Sequence, residues 1–385
     1  MTDTVLYILV LLSLGSNLLF SLVVVYNYVS NIWANKNKNK NQTLIVKPKI
    51  SVLIPARNES ENLKRNLPSI LSQRYKDLNI LVMDDDSSDP TPDTLDVFKS
   101  QYSNFHGYSQ NELPKEWKGK VYALHRLSEI EKDTINSEVL LFTDADDYFF
   151  GGAIETSLKV MKRNNLDMIS FFPGQEFASL AERLFSPISD LILFTLLPLK
   201  LVEKTSNPSI SAANGQWIMI TRDAYEKIGG HESVRNSLLD DTDIARRAKT
   251  KGLKTGVYSG IGIVKTRMYS SFISIVNGFA KNIYPIFGSN IFIALPAASL
   301  YLFSGVQFVL FLFINSVDER IIYFNLLLLS ISFMYFWRLL IGERLKHPFV
   351  SIILYPITSM FIFFIALKSY AQTKKRRNIW KGRYV

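Results

Sequence analysis

The chain has no cysteine among its 385 residues and only four histidines. Disulfides, thiolate nucleophiles and cysteine-held metals are therefore excluded, and four scattered histidines do not make a zinc set. No internal repeat is present, and the one low-complexity stretch is the Asn/Lys run at 35–41. Acids are the minority charge, 34 against 44 Lys and Arg, which leaves a formal net charge of +10. Most of that excess sits beside apolar stretches, with no aromatic-interleaved basic patch. It does not read as a nucleic-acid surface; it reads as contact with anionic lipid headgroups.

Hydrophobic residues make up 48% of the chain but are unevenly placed. Residues 5–29 are apolar apart from Ser and Asn, and 291–315, 320–341 and 349–367 are three further apolar stretches. A bilayer core needs about 20 apolar residues per helix, so each is expected to span a membrane, with a buried core helix as the alternative. Residues 5–29 read as a retained span. Their leading end carries Asp3 rather than Lys or Arg, their core is too long for a cleaved signal, and no small-residue cleavage site follows. Lys36, Lys38 and Lys40 then place the next region on the cytoplasmic side. The tail, with Lys374, Lys375, Arg376, Arg377, Lys381 and Arg383, asks for the same side, which three crossings after residue 280 would not give. Either one stretch is interfacial or re-entrant, or the tail breaks the rule. The expected organisation is an anchor and linker at 1–45, a cytoplasmic α/β region at 46–285, and a membrane region with basic tail at 286–385. The protein is thus expected to be multi-pass in the cell membrane. Residues 185–202, apolar but holding Pro187, Asp190 and Pro198, are expected to lie on the membrane as an amphipathic segment; a core helix is the alternative.

Between these stretches two apolar runs end in acids. Ile80-Leu81-Val82-Met83 leads into Asp84-Asp85-Asp86-Ser87-Ser88-Asp89, and Val139-Leu140-Leu141-Phe142-Thr143 into Asp144-Ala145-Asp146-Asp147. Both runs have the pattern of buried parallel strands. In an open α/β sheet, ligands bind beyond the carboxyl ends of the strands. A D-x-D pair there suits a hard divalent ion, which in turn can hold a diphosphate. Upstream, Ile50–Ile54 is a strand ending at Pro55, followed by a helix with Leu63, Leu67, Ile70 and Leu71 on one face, so the start is a βαβ unit. Residues 153–163 are expected to be helical and 168–172 a strand.

The ordered set Pro55-Ala56-Arg57-Asn58-Glu59, Asp84–Asp89, Trp117-Lys118-Gly119-Lys120, Asp144-Ala145-Asp146 and Asp240-Asp241 resembles family 2 glycosyltransferases of the GT-A fold. Gly229-Gly230-His231-Glu232, Arg267-Met268-Tyr269 and the flanking apolar stretches are similar to the membrane-bound carotenoid and hopanoid glycosyltransferases. Two departures are Asp240 where the family usually has Glu, and Asp86 where Gly is common.

The resemblance implies a Rossmann-like, mostly parallel sheet with transmembrane helices at both ends, and an inverting transfer from a UDP-sugar to a membrane lipid. It implies that Asp85 accepts a hydrogen bond from the base, with Pro55, Ala56, Arg57 and Glu59 near base and ribose. Asp144 and Asp146 would hold Mn2+ or Mg2+ against the diphosphate, with Ala145 between them and Lys120 on a phosphate. Asp241 would be the general base beside Asp240, Arg267 would hold the departing diphosphate, and Asn214, Gly215, Gln216 and Trp217 would line the acceptor cleft. The residues leave bland alternatives: a capping turn at 84–89, a helix N-terminus at Asp240-Asp241, and a core position for Trp217. Polysaccharide synthesis is the alternative within the family. A nucleotidyltransferase would show a Gly-rich loop where Pro55-Ala56-Arg57-Asn58 stands, and a non-catalytic binding module would be expected to have lost one of Asp144, Asp146 or Asp241.

Overall fold

A computed structural model describes residues 3–30, 47–312, 321–375, 379–380 and 383–384. The Asn/Lys linker at 35–41 and Arg376, Arg377 and Lys381 of the tail lie outside them. Contacts divide the chain into two compact units. One comprises residues 1–31, 177–198 and 268–385, and the other residues 32–176 and 199–267.

The second unit is built on a seven-stranded sheet. In chain order its strands are β1 (Ile50–Ala56), β2 (Leu78–Asp85), β3 (Phe105–Gln110) and β4 (Val139–Phe142). After the short β5 (Asp147–Phe149) come β6 (Met168–Phe172), the short β7 (Gly174–Gln175), β8 (Ile218–Thr221), β9 (Thr255–Ser259) and the short β10 (Val264–Thr266). The sheet order is β3-β2-β1-β4-β8-β6-β9, and β5-β10-β7 form a small second sheet. In the seven-stranded sheet only β8 runs against its neighbours β4 and β6, and the other pairings are parallel. Side chains alternate between two cores. Val52, Ile54, Ile80, Val82 and Leu141 face one core, while Leu53, Leu81, Met83, Leu140 and Phe142 face the other. Both faces are covered by helices, which is why these strands are apolar throughout rather than alternating. The helix Ser60–Leu71 covers the first face with Leu63, Leu67 and Ile70, and Pro68 lies inside it. The helix Ala153–Asn164 and strand β6 coincide with the periodicities at 153–163 and 168–172.

In the other unit, the Ser and Asn residues of the helix Asp3–Val29 are its packing stripe. Ser13, Ser16, Asn17, Ser21 and Asn27 are all buried. Asn17 donates to the Ser304 carbonyl at 3.1 Å and to Ser330 at 3.0 Å, and accepts from the Trp337 indole at 3.2 Å. Small and polar residues on the packing face join apolar helices where the hydrophobic effect between them is weak. Among the described residues, Thr4–Val29 and Ile321–Leu345 have the length and composition to cross a membrane.

Two expectations are corrected here. Residues 291–315 do not form one unbroken helix. Among the described residues the helix Ile291–Gly305 is followed, across Val306, by the helix Gln307–Phe311. Residues 185–202 are not one surface segment. Pro187 and Pro198 split them into helices ending at Phe185, spanning Ile188–Leu196 and starting at Leu199. Ile188–Leu196 is largely buried, tied by Asn27 to the Phe194 and Leu197 carbonyls (3.0 and 2.9 Å) and by Asp190 to His347 (2.9 Å). The helix Phe272–Ile286 packs along Tyr355–Lys374, and the Tyr284 amide donates to Ser369 at 2.9 Å.

In the α/β unit, Glu131 is fully buried and accepts from Ser51 (2.9 Å), from the Ser137 amide (2.8 Å) and from Arg222. It joins the helix Gly119–Thr134 to β1 and to the start of the helix Arg222–Ile228. Breaking a buried pair strands a charge, at about 3 kcal/mol or more. Glu131→Gln is therefore expected to lower the melting temperature of the detergent-solubilised protein by roughly 6–12 °C, read by tryptophan fluorescence. An unchanged melt would show that the pair contributes nothing.

Candidate functional site

The site residues stand beyond the carboxyl ends of β1, β2 and β4, and on the segments that face them. The ends of β1 and β2 are stapled together. Arg57 donates to the Asp85 carbonyl, to the Asp86 carbonyl at 2.8 Å, and to the Asp86 carboxylate at 3.3 Å. The Asn58 amide donates to Ser87 and the Ser88 amide to the Asn58 side chain, both at 2.8 Å. Asn58 and Asp86 hold positive φ, 54° and 56°, a conformation that Asn and Asp tolerate best after Gly. That accounts for Asp86 where the family commonly has Gly. Pro55 and Ala56 are the last residues of β1, and Ala56 is buried. Asp85 is 3% exposed and accepts from Gln110 at the end of β3 at 3.1 Å. Gln110 went unread in the sequence because nothing local marks the end of an edge strand as part of a site.

The D-x-D loop is shaped by its neighbour. Asp147, fully buried, accepts from Thr143 and from the Asp144 amide, each at 2.9 Å. It folds the loop so that Asp144 and Asp146 both remain partly exposed. Ala145 is buried, its carbonyl bonded by Asn66 at 3.1 Å. Asp146 accepts from Thr266 at 3.2 Å, and Thr266 in turn accepts from Gln216 at 2.9 Å. Burial, then Asp144, then Glu59, push the Asp146 carboxyl up to about 7. Glu59 is thus close enough to act on the Asp146 carboxyl.

Lys120 opens the helix Gly119–Thr134 and joins two acid groups. Its ammonium lies 2.6 Å from Asp144. Burial works against that charge, but Asp144, then Asp240 and Asp241, outweigh it, and its pKa is raised. Asp240 and Asp241 open the helix Asp240–Thr250. Asp241 accepts from the Gly215 amide at 3.0 Å and from the Thr242 amide at 2.6 Å. Its carboxyl is pushed up to about 6, by burial first and then by Asp240, against the pull of Lys120. Asp243 is engaged elsewhere, accepting from Ser237 at 2.6 Å and from Arg246.

The segment Asn214–Trp217 divides in two. Asn214 shapes the turn by accepting from the Gln216 amide at 2.9 Å, and Gly215 lies against Lys120 and Asp241. Trp217 is corrected. It is fully buried, with its ring 4.6 Å from Phe149 and 5.8 Å from Phe171, so it offers no face on which a sugar could stack. Gln216 is 5% exposed and serves Thr266. His231, from the Gly-Gly-His-Glu run, is buried beside Tyr225 (2.8 Å) and packs its ring on Phe142. Burial, then Lys120 and His125, hold its pKa down at about 3, so it is neutral. Arg267, partly buried, directly follows Thr266 of β10.

The donor set fits a hard divalent ion. Among the described residues no group of three or more His, Cys, Asp or Glu forms a metal cage. Two carboxylates suit an ion that takes its remaining oxygens from phosphate and water, as Mg2+ and Mn2+ do. Burial, with Asp144 and Glu59 nearby, disfavours charge on Asp146, and a cation held there would offset that.

The profile of Glycosyl transferase family 2 matches residues 51–229. The 4,4'-diaponeurosporenoate glycosyltransferase of Staphylococcus aureus strain N315 is 22% identical over 361 residues, covering 91% of this chain and 92% of that protein. The protein of the same name from Staphylococcus haemolyticus is 24% identical over 237 residues, 61% of this chain and 60% of its own length. The mannosyltransferase PcManGT of Pyrobaculum calidifontis, solved with GDP-Man and Mn2+, superposes with a TM-score of 0.57 at 13% identity, over 95% of this chain and 99% of that one. That likeness establishes the fold as GT-A. Residues 51–229 are therefore a glycosyltransferase family 2 domain, in a glycosyltransferase similar to the carotenoid-associated enzymes.

Proposed function

We propose that the enzyme transfers a sugar from a UDP-sugar to a lipid acceptor in the membrane, with inversion at the anomeric carbon. The main support is the convergence of Asp144 and the Asp240–Asp241 pair on one ammonium. It sets the acids suited to a donor diphosphate beside the acids suited to an acceptor proton. In the proposed reaction, Asp241 takes the acceptor hydroxyl proton as the oxygen attacks the anomeric carbon. The bond from that carbon to the diphosphate breaks in the same step, and UDP leaves with the electron pair. Asp240, beside Asp241, raises its basicity by like charge. Asp144 and Asp146 would hold a divalent ion, which when bound supplies electrostatic stabilisation of the departing diphosphate. Arg267 is assigned to the same diphosphate, and Asp85 to the ring N–H of uracil. The lipid acceptor is supported by the apolar helices and by the similarity to enzymes named for a diaponeurosporenoate. The α/β unit is assigned to the cytoplasm. Two crossings after residue 280 would return the basic tail to that side, and Ile321–Leu345 has the length and composition for one of them.

Metal dependence is the first test. Asp146→Ala, or chelation with EDTA, is expected to lower turnover at least a hundredfold, about 3 kcal/mol of transition-state stabilisation. Near-normal turnover in either experiment would remove the D-x-D assignment.

Base choice is tested by calorimetry. Asp85→Asn is expected to weaken UDP binding about ten- to a hundredfold, the loss of one charge-assisted hydrogen bond. Equal UDP affinity, or a preference of the wild-type protein for GDP, contradicts the uridine reading.

The general base carries a pH signature. A carboxyl pushed up to about 6 by burial and Asp240 must be ionised to accept a proton. Transfer to a hydroxyl acceptor should thus fall as pH drops below about 6 and level off above it. Asp241→Asn should cost about 10²–10⁴ in rate, remove that limb and leave UDP affinity unchanged. Loss of UDP affinity as well would make Asp241 a donor-site residue. A small rate loss would point to an acceptor carboxylate, which is already ionised and needs no base.

A further inference from the structure

The ammonium of Lys120 stands where a site built for a cation needs positive charge. It touches Asp144 at 2.6 Å, on a carboxylate assigned above to the divalent ion. It lies close against residue 215, where a Cβ would meet the Lys120 nitrogen at 3.0 Å and displace it by a few tenths of an ångström. Gly215 has ordinary backbone geometry, absent from the positive-φ glycines among the described residues. What it supplies is therefore room for Lys120, beside the amide it gives to Asp241.

We propose that Lys120 is the resident counter-ion of the donor site. It holds the Asp144 carboxylate in the nucleotide-free enzyme and yields it only when cation and nucleotide diphosphate arrive together. The inference rests on Asp144 and Asp146 as the ion's ligands. An ammonium and a divalent cation repel each other and compete for the same oxygen, so a bare cation must push Lys120 off Asp144, leaving it only Asp240 and Asp241 among the acids that act on it. A diphosphate removes that penalty by offering the displaced ammonium an anionic partner. Lys120 lies in the first turn of the helix Gly119–Thr134, and its four-carbon stem lets the nitrogen move while the helix stays in place. Lys120 is thus a positioning residue that couples cation binding to nucleotide binding. By linkage, each ligand raises the affinity of the other by the same factor.

The test is calorimetric titration of MnCl2 into the full-length detergent-solubilised protein, with and without UDP. In the wild-type protein UDP is expected to tighten Mn2+ at least thirtyfold. Lys120→Met should bind Mn2+ at least tenfold tighter than wild type without UDP, and the UDP effect should shrink. Lys120→Arg keeps the charge and should retain weak binding of Mn2+ alone. Gly215→Ala crowds Lys120 without altering any charge and should shift Mn2+ affinity in the same direction as Lys120→Met, by less. It carries the test if Lys120→Met does not fold. Unchanged affinity for Mn2+ alone in Lys120→Met, or in Gly215→Ala where that variant carries the test, overturns the inference and leaves the ion site standing. If neither wild type nor variants bind Mn2+ even with UDP, the assignment of Asp144 and Asp146 to the ion fails, and the inference falls with it.

Discussion

Crowding of like charge at the carboxyl ends of buried strands is the constraint around which the α/β unit is organised. Asp144 and Asp146 leave β4 one residue apart, and Asp240 and Asp241 face them from a helix start, with Glu59 close enough to act on Asp146. Carboxylates this close raise one another's pKa unless a cation or hydrogen-bond donors intervene. Donors that intervene include Thr266 to Asp146, the Gly215 and Thr242 amides to Asp241, and Thr143 with the Asp144 amide to Asp147. The ammonium of Lys120 adds positive charge beside Asp144.

The scaffold makes that arrangement possible. Helices on both faces bury the central strands β1, β2 and β4, so the acids are confined to their ends and the loops that follow. Parallel β1, β2 and β4 end on the same edge and bring Arg57, Asp85 and Asp144 there together. The one reversed strand, β8, begins on that edge, so the Asn214–Trp217 segment leading into it meets the acids. The buried bond of Glu131 to Arg222 ties the helix that begins with Gly119 and Lys120 to β1 and to the helix following β8. Lys120 is thus set on an element anchored at its far end.

The helical unit follows a different logic. Its first helix packs through Ser and Asn side chains, with Asn17 at the centre of contacts to Ser304, Ser330 and Trp337. In apolar surroundings such bonds, together with close approach, replace the hydrophobic effect between helices. Close approach is visible at Gly305, where the smallest of side chains would collide with Ser359.

Much of this was legible in the sequence, and for physical reasons. Apolar runs ending in acids mark buried strands with a site at their ends, because nothing else places Asp beside Val-Leu-Leu-Phe at low cost. The 3.6-residue pattern of Leu63, Leu67 and Ile70 marks a helix on the sheet. Tertiary structure decided what no local pattern encodes. Thr266 reaches Asp146 and Gln216 from far along the chain. Trp217 lies in the core because β8 turns that position toward Phe149 and Phe171. Residues 291–315 read as one apolar stretch, yet the helix that starts at Ile291 breaks at Val306 and resumes at Gln307, where no proline or charge marks the break. In the sequence Lys120 followed a glycine and was assigned to a phosphate, with no acid partner marked. Only the fold brings Asp144, Asp240 and Asp241 around its ammonium, because charges separated in the chain interact through distance in space.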